Sequence, residues 1–211
     1  MEFKAVIFDL DGVLVFTDKY HFLAWKKIAD ELDIPFDEKD NDRLRGVGRA
    51  ESLDIILEKY TGEELSSEKK AELLERKNDI YKEQLKNMSP SDVTDDVRNT
   101  LKKLHERGYL LSVGSSSKNT AYILERTDLG KYFDAVADGT HITRTKPDPE
   151  VFLKAAEFLK VEPEDCLVIE DADAGIEAAI AAGMHSAAIG PARQRGRAEA
   201  CIGKISDILS L

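Results

Sequence analysis

Ala5-Val6-Ile7-Phe8-Asp9-Leu10-Asp11-Gly12 is the stretch on which the reading of the whole chain turns. Four consecutive apolar residues, closed by a glycine shortly after, read as a buried central strand of a parallel sheet. Asp9 and Asp11 emerge where that strand ends. Side chains two apart in an extended chain point the same way, so both carboxylates can face one crevice at the carboxyl edge of the sheet. Two acids placed there repel each other unless a cation lies between them. The pair therefore suits a Mg²⁺ site in which one carboxylate attacks and the other passes protons.

Length and charge bound what such a strand can belong to. A chain of 211 residues holds one sizeable core and a smaller insert, so at most two domains are expected. With 41 acids against 30 bases, a net charge of -11 argues against a surface for nucleic acid or anionic lipid. A small phosphorylated substrate needs only local positive charge and stays open. Cys166 and Cys201 have neither metal-site spacing nor a disulfide framework, which points to a reducing compartment. The first residues carry no basic segment followed by a long apolar run, and no apolar stretch reaches membrane-spanning length. A cytoplasmic protein, and a monomer, is the expectation.

Working outward, the pattern after Phe16 becomes helical. His21, Trp25, Ile28 and Leu32 recur at helical spacing up to Pro35. Leu53, Ile56, Leu57 and Tyr60 form a second such stripe, and Ser66 or Ser67 opens a third that runs to Leu85. Between the first two lies a loop with two glycines and two arginines, Arg45-Gly46-Val47-Gly48-Arg49. Ser89-Pro90-Ser91 is the first turn-rich break, and beyond it helices and strands alternate. Strands are expected at Tyr109–Gly114, Ala135–Ala137, Cys166–Ile169 and, as the last, Ser186–Ile189. Helices are expected at 97–104, 118–126, 151–159 and 176–180, with a polar segment and a short closing helix at the end. The fold class is a three-layer, Rossmann-like α/β core with a parallel sheet. The core comprises residues 1–15 and 89–211, and a helical cap of residues 16–88 is inserted after the first strand, where it can act as a lid.

Four strand ends deliver polar residues to one crevice: Asp9 and Asp11; Ser115-Ser116-Ser117-Lys118-Asn119; Lys146-Pro147; and Glu170-Asp171. No one of these is specific, but their order and placement together are. With these four motifs the chain resembles the haloacid dehalogenase superfamily of phosphotransferases. Within it, Tyr20-His21-Phe22, Trp25, Gly46-Val47-Gly48-Arg49, Arg76-Lys77-Asn78-Asp79 and Ser117-Lys118-Asn119 resemble the sugar phosphomutases that interconvert β-glucose 1-phosphate and glucose 6-phosphate.

The resemblance implies roles. Asp9 is the nucleophile that forms an aspartyl phosphate, and Asp11 the general acid and base. Asp9, the Asp11 backbone carbonyl and Asp171 hold Mg²⁺, with Glu170 as a further ligand or a partner of the ligands. Ser115 and Lys146 hold the transferring phosphoryl oxygens. A mutase also needs a second phosphate site, because its β-glucose 1,6-bisphosphate intermediate, which primes the enzyme as phosphoryl donor, must present both ends. Arg49 is the candidate, with Ser116, Ser117, Lys118 and Asn119 contributing from the core. His21 and Lys77 serve lid closure and recognition, and Trp25, Gly46, Val47 and Ser52 line the sugar site. On helix pattern alone, His21 could equally be a packed core histidine, and Arg49 and Lys77 solvated charges.

The chain departs from the mutase pattern at Val15, Phe16 and Ala172, which makes the entry to the insert more apolar and removes a hydroxyl beside Asp171. The rival readings are a sugar-phosphate phosphatase, which needs no second phosphate site, and a non-catalytic sugar-phosphate sensor.

Overall fold

The computed structural model describes residues 3–44 and 48–211. The chain divides into two compact units, Met1–Phe16 with Met88–Leu211, and Thr17–Asn87.

Strand β1 (Ala5–Phe8) is followed by the helical unit: α1 (Asp18–Glu31), α2 (Glu38–Asp42), α3 (Arg49–Leu57) and α4 (Ser67–Leu85). The α/β unit then resumes with α5 (Asp95–Glu106), β2 (Leu110–Gly114), α6 (Thr120–Arg126), β3 (Ala135–Ala137), α7 (Glu150–Leu159), β4 (Cys166–Glu170), α8 (Asp173–Ala181), β5 (His185–Ala188) and β6 (Ala200–Cys201). A 3₁₀ segment, Ile205–Ser210, closes it.

The strands form one parallel sheet in the order β3-β2-β1-β4-β5-β6. The first strand is therefore central, with Ala5 facing Leu110 on one side and Cys166 on the other. Helices cover both faces of such a sheet, which is why β1 and β4 are buried along their whole length and are apolar without alternation up to Glu170. On one side Ile7 and Val168 pack with Val151, Phe152 and Ala155 of α7 and Ala178 and Ala179 of α8. The carboxyl ends of β1, β2, β3 and β4 all open on the same edge, as parallel strands require.

In the helical unit α1 packs on α4. Trp25 and Ile28 from α1, Leu53 and Ile56 from α3 and Leu73 from α4 share one core, as their helical spacing predicts. Ser66 opens α4 by accepting the Lys69 N–H at 3.3 Å.

Three features differ from the sequence reading. Helix α2 has no apolar stripe to announce it. A capping box builds it instead, in which Asp37 accepts from Lys39 and Asp40 N–H groups while Asp40 accepts from Asp37 N–H. The strand expected to be last is followed by β6, two residues long and too short to carry a period. Helix α6 starts at Thr120 rather than Lys118, because hydroxyl-to-amide bonds hold Ser115–Asn119 in a loop.

Candidate active site

The site begins with what β1 does when it stops. The Asp9 N–H still pairs with the Ile169 carbonyl at 3.0 Å, so Asp9 is fixed as the next rung of the β1–β4 ladder. The chain then coils tightly. The Leu10 carbonyl accepts from both Leu14 and Val15, each at 3.0 Å, and Gly12 N–H donates to the Val15 carbonyl at 2.8 Å. Gly12 is required twice over. Its φ is +80°, and a Cβ there would lie 2.0 Å from Asp171 Oδ2. The turn thus brings the Asp9–Gly12 segment directly against the Asp171 carboxylate.

Lys146, from the loop between β3 and α7, joins the two strands chemically. Its Nζ donates to Asp9 Oδ1 at 2.5 Å and to Glu170 Oε1 at 2.7 Å, and it stands 4.5 Å from the centroid of the Phe152 ring. Glu170, the last residue of β4, is 2 % exposed. Its other oxygen, Oε2, accepts the Ala172 N–H at 2.8 Å. Asp9 Oδ2 accepts no hydrogen bond among the described residues, so one oxygen of the expected nucleophile is pinned and the other is not.

Burial pushes the Asp9 carboxyl well above the usual carboxylate range; the Lys146 ammonium opposes this, and the Glu170 and Asp171 charges reinforce it. Burial alone would lower Lys146, but Asp9 and Glu170 outweigh it and raise its pKa, so the ammonium stays protonated. Lys146 is shared by two carboxylates and Asp171 adds a third acid beside Asp9, so the acids outnumber the one ammonium.

This is the setting in which a divalent cation fits. Among the described residues no three His, Cys, Asp or Glu side chains form a ready-made metal cluster. Lys146 lies between Asp9 and Glu170, and each Glu170 oxygen accepts a hydrogen bond. Of the two roles open to Glu170, metal ligand or partner, the geometry favours the partner. Asp9, Asp171 and the Asp11 backbone remain as the candidate donors, one carboxylate from each side of the β1–β4 junction.

Ser115, at the end of β2, is buried, and its N–H donates to the Ala137 carbonyl at 3.0 Å. Its hydroxyl accepts the Ser117 N–H, and the Ser117 hydroxyl accepts the Asn119 N–H, both at 3.2 Å. Thr120 Oγ1 closes the loop on the Ser117 carbonyl at 2.8 Å. The Ser116 hydroxyl is buried without a hydrogen-bond partner among the described residues, and Lys118 is exposed.

The helical unit carries a second cluster. Lys77 of α4, 3 % exposed, places its Nζ 2.8 Å from His21 Nδ1. An ammonium only donates, so Nδ1 accepts and the neutral ring keeps its proton on Nε2. Burial, then Lys77 and Arg49, hold His21 well below its ordinary pKa. The His21 ring stacks on Tyr81 at 4.1 Å, and the Lys77 ammonium lies 4.8 Å from the ring centroids of both Trp25 and Tyr81. Tyr81 Oη donates to Thr17 Oγ1 at 3.2 Å.

His21, Trp25 and Lys77 thus come together, but Trp25 is buried in the helical core and presents its face to Lys77. Ser52 is also buried, whereas Arg49, the first residue of α3, is exposed. Gly46 and Val47 lie outside the described residues. Sequence reasoning missed the parts played by Phe152 beneath Lys146, Tyr81 beside His21, and Gly175 against Glu170. Of these only Gly175 had a signal, as an isolated glycine inside a helical pattern.

Known proteins resemble the chain along most of its length. Residues 3–183 match the family described as haloacid dehalogenase-like hydrolase. The chain is 42% identical over 211 residues to β-phosphoglucomutase of Bacillus subtilis, covering 97% of this chain and 91% of that one. It is 34% identical to a phosphorylated carbohydrates phosphatase of Thermotoga maritima, covering 86% and 82%. Its fold matches the crystal structure of β-phosphoglucomutase from Clostridium difficile with a TM-score of 0.87 at 34% identity, over 98% of this chain and 93% of that one.

Proposed function

Because the chain belongs to the haloacid dehalogenase-like hydrolase family and is a β-phosphoglucomutase-like phosphotransferase, we propose that it interconverts β-glucose 1-phosphate and glucose 6-phosphate through an aspartyl phosphate on Asp9. The observation that carries the phosphoryl-transfer reading is the Lys146 ammonium shared by Asp9 and Glu170 at 2.5 and 2.7 Å, which leaves Asp9 Oδ2 uncommitted.

In this reading Asp9 Oδ2 attacks the phosphorus, and the bond from phosphorus to the donor oxygen breaks as the new one forms. The Asp11 carboxyl gives its proton to the departing hydroxyl and takes one from the incoming hydroxyl in the return step. Lys146 holds a phosphoryl oxygen while keeping Asp9 in place, and Glu170 fixes Lys146 in turn. Ser115 contributes a hydroxyl to the same group. Asp9, the Asp11 carbonyl and Asp171 would hold Mg²⁺, which when bound offsets the repulsion between the carboxylates and an anionic phosphoryl group.

In the helical unit Arg49 is the residue suited to the distal phosphate of β-glucose 1,6-bisphosphate, the priming donor, and in the α/β unit Ser117, Lys118 and Asn119 offer phosphate donors of their own. His21, held neutral with Nε2–H outward from Lys77, offers a donor to a sugar oxygen. The cationic set Arg49 and Lys77 in the helical unit favours a mutase, since release of phosphate to water calls for no second phosphate site. The phosphatase reading has support of its own, the 34% identity to a phosphorylated carbohydrates phosphatase among it.

Phosphorus NMR of the protein with Mg²⁺, β-glucose 1-phosphate and a trace of the 1,6-bisphosphate separates the two. Accumulating glucose 6-phosphate with little free phosphate supports the mutase. Free phosphate as the main product overturns it in favour of the phosphatase.

A further inference from the structure

Lys146 sits on a loop without regular structure between β3 and α7, yet its ammonium reaches two buried carboxylates at once. A lysine on such a loop keeps so defined a position only if the backbone is fixed close by. The fixing groups are all in one place. Glu150, the first residue of α7, turns its carboxylate back over the loop. Oε2 accepts the Arg144 N–H at 2.8 Å and the Thr143 N–H at 3.1 Å, and the Thr143 hydroxyl lies 3.1 Å from Oε2 and 3.3 Å from Oε1. Asp148 Oδ1 in turn accepts the Glu150 N–H at 3.0 Å.

Glu150 therefore closes a ring of residues 143–150 with Lys146 inside it. Two backbone N–H groups on consecutive residues are satisfied by one oxygen, just two residues before Lys146. The Arg144–Glu150 hydrogen bond also holds the Glu150 carboxyl below its ordinary range, so the acceptor is anionic at neutral pH. Two residues along α7, Phe152 presents its ring 4.5 Å from the Lys146 ammonium and is itself fully buried. The first turn of α7 thus sets both the backbone that carries Lys146 and the surface on which its charged end rests.

We propose that Glu150 is a positioning residue for phosphoryl transfer: it contacts neither substrate nor Asp9, and acts by holding the 143–146 backbone so that Lys146 spans Asp9 and Glu170. The inference rests on the reading of Asp9 and Lys146 given above, but applies equally to transfer to a sugar or to water. Both N–H bonds converge on Oε2, so a single carbonyl oxygen at that point should suffice.

The test is a double-mutant cycle on release of phosphate from acetyl phosphate with Mg²⁺, which reports Asp9 and Lys146 without needing a sugar. Glu150→Ala should lower kcat roughly tenfold or more with KM within about twofold, the pattern of a misplaced group rather than lost binding. Glu150→Gln, which keeps the acceptor, should stay within about threefold of wild type. In a Lys146→Met background, Glu150→Ala should cost less than about twofold further, since there is no ammonium left to position. A full additional loss in that background, or an unchanged kcat in Glu150→Ala, overturns the proposal. No turnover by the wild-type protein overturns the phosphotransfer reading, and the inference with it.

Discussion

Gly175→Ala pits two rules against each other. Gly175 lies in the first turn of α8, where alanine is the better helix former, so propensity alone predicts a gain of up to about 1 kcal/mol. The structure predicts a loss. A Cβ at Gly175 would lie 1.9 Å from Glu170 Oε1 and 2.0 Å from its Cδ. A flexible carboxylate would normally step aside cheaply, but Glu170 is 2 % exposed and held at both oxygens, by Lys146 at 2.7 Å and by Ala172 N–H at 2.8 Å. Moving it breaks a buried ion pair, which costs about 3–5 kcal/mol. The net is a destabilisation of about 2–4 kcal/mol, or a fall in Tm of roughly 4–16 °C for a chain of this size. Calorimetry of Gly175→Ala beside Gly130→Ala, where a Cβ meets nothing within 4 Å, separates the local clash from a general effect of alanine. Phosphate release should fall with Tm in Gly175→Ala, because Lys146 loses one of its two carboxylates. A Gly175→Ala protein that melts at or above the wild-type temperature, with full activity, would refute the view that Glu170 is locked in place.

Lys146→Met leaves Asp9 and Glu170 without their shared cation and should reduce kcat for phosphate release by about 10³-fold, read by phosphorus NMR. His21 gives a pH dependence whose sign is fixed. Its folded pKa is lowered well below the ordinary 6.5, so the unfolded chain binds the proton first, and stability should fall as pH drops below about 6.5. Melting curves from pH 7.5 to 5.5 should show that slope in the wild type and a shallower one in His21→Gln; identical slopes would count against a neutral, buried His21. Arg49→Ala should lower conversion of β-glucose 1-phosphate by roughly 10–150-fold, the loss of a charged hydrogen bond worth about 1.5–3 kcal/mol, while acetyl phosphate turnover changes by less than about threefold. Equal losses in both assays would remove Arg49 from the distal phosphate site.

Much of this was legible because it rests on local, periodic signals. Ala5–Phe8 reads as a strand because a sheet covered on both faces demands continuous apolar residues, and Asp9 and Glu170 follow as polar residues where β1 and β4 give out. What could not be read depends on partners far apart in sequence. That Lys146 sits between Asp9 and Glu170 is a contact across 137 and 24 residues that no spacing encodes. The pairing of Lys77 with His21 across 56 residues is of the same kind. Helix α2 was missed for the opposite reason: its signal, Asp37 and Asp40 three apart, was present, but its residues lack the apolar stripe by which helices are recognised. Trp25 is buried in the helical core, a burial that its shared stripe with Ile28 already implied.

The central position of β1 has a consequence for how the protein is made. Both strands that flank it, β2 and β4, come after the helical unit in the chain, with Ala5 waiting for Leu110 and then Cys166. A ribosome adding about 5–20 residues per second needs on the order of ten to thirty seconds to reach β4. The most apolar strand of the sheet emerges ahead of everything that covers it, with both hydrogen-bonding edges open until β2 is made and one edge open until β4 follows. The helical unit, complete by Asn87 and with its own core, can form during the wait. The strand that leads into Asp9 is therefore the first to be synthesised and among the last to be secured, which makes it the segment for a nascent-chain chaperone to shield.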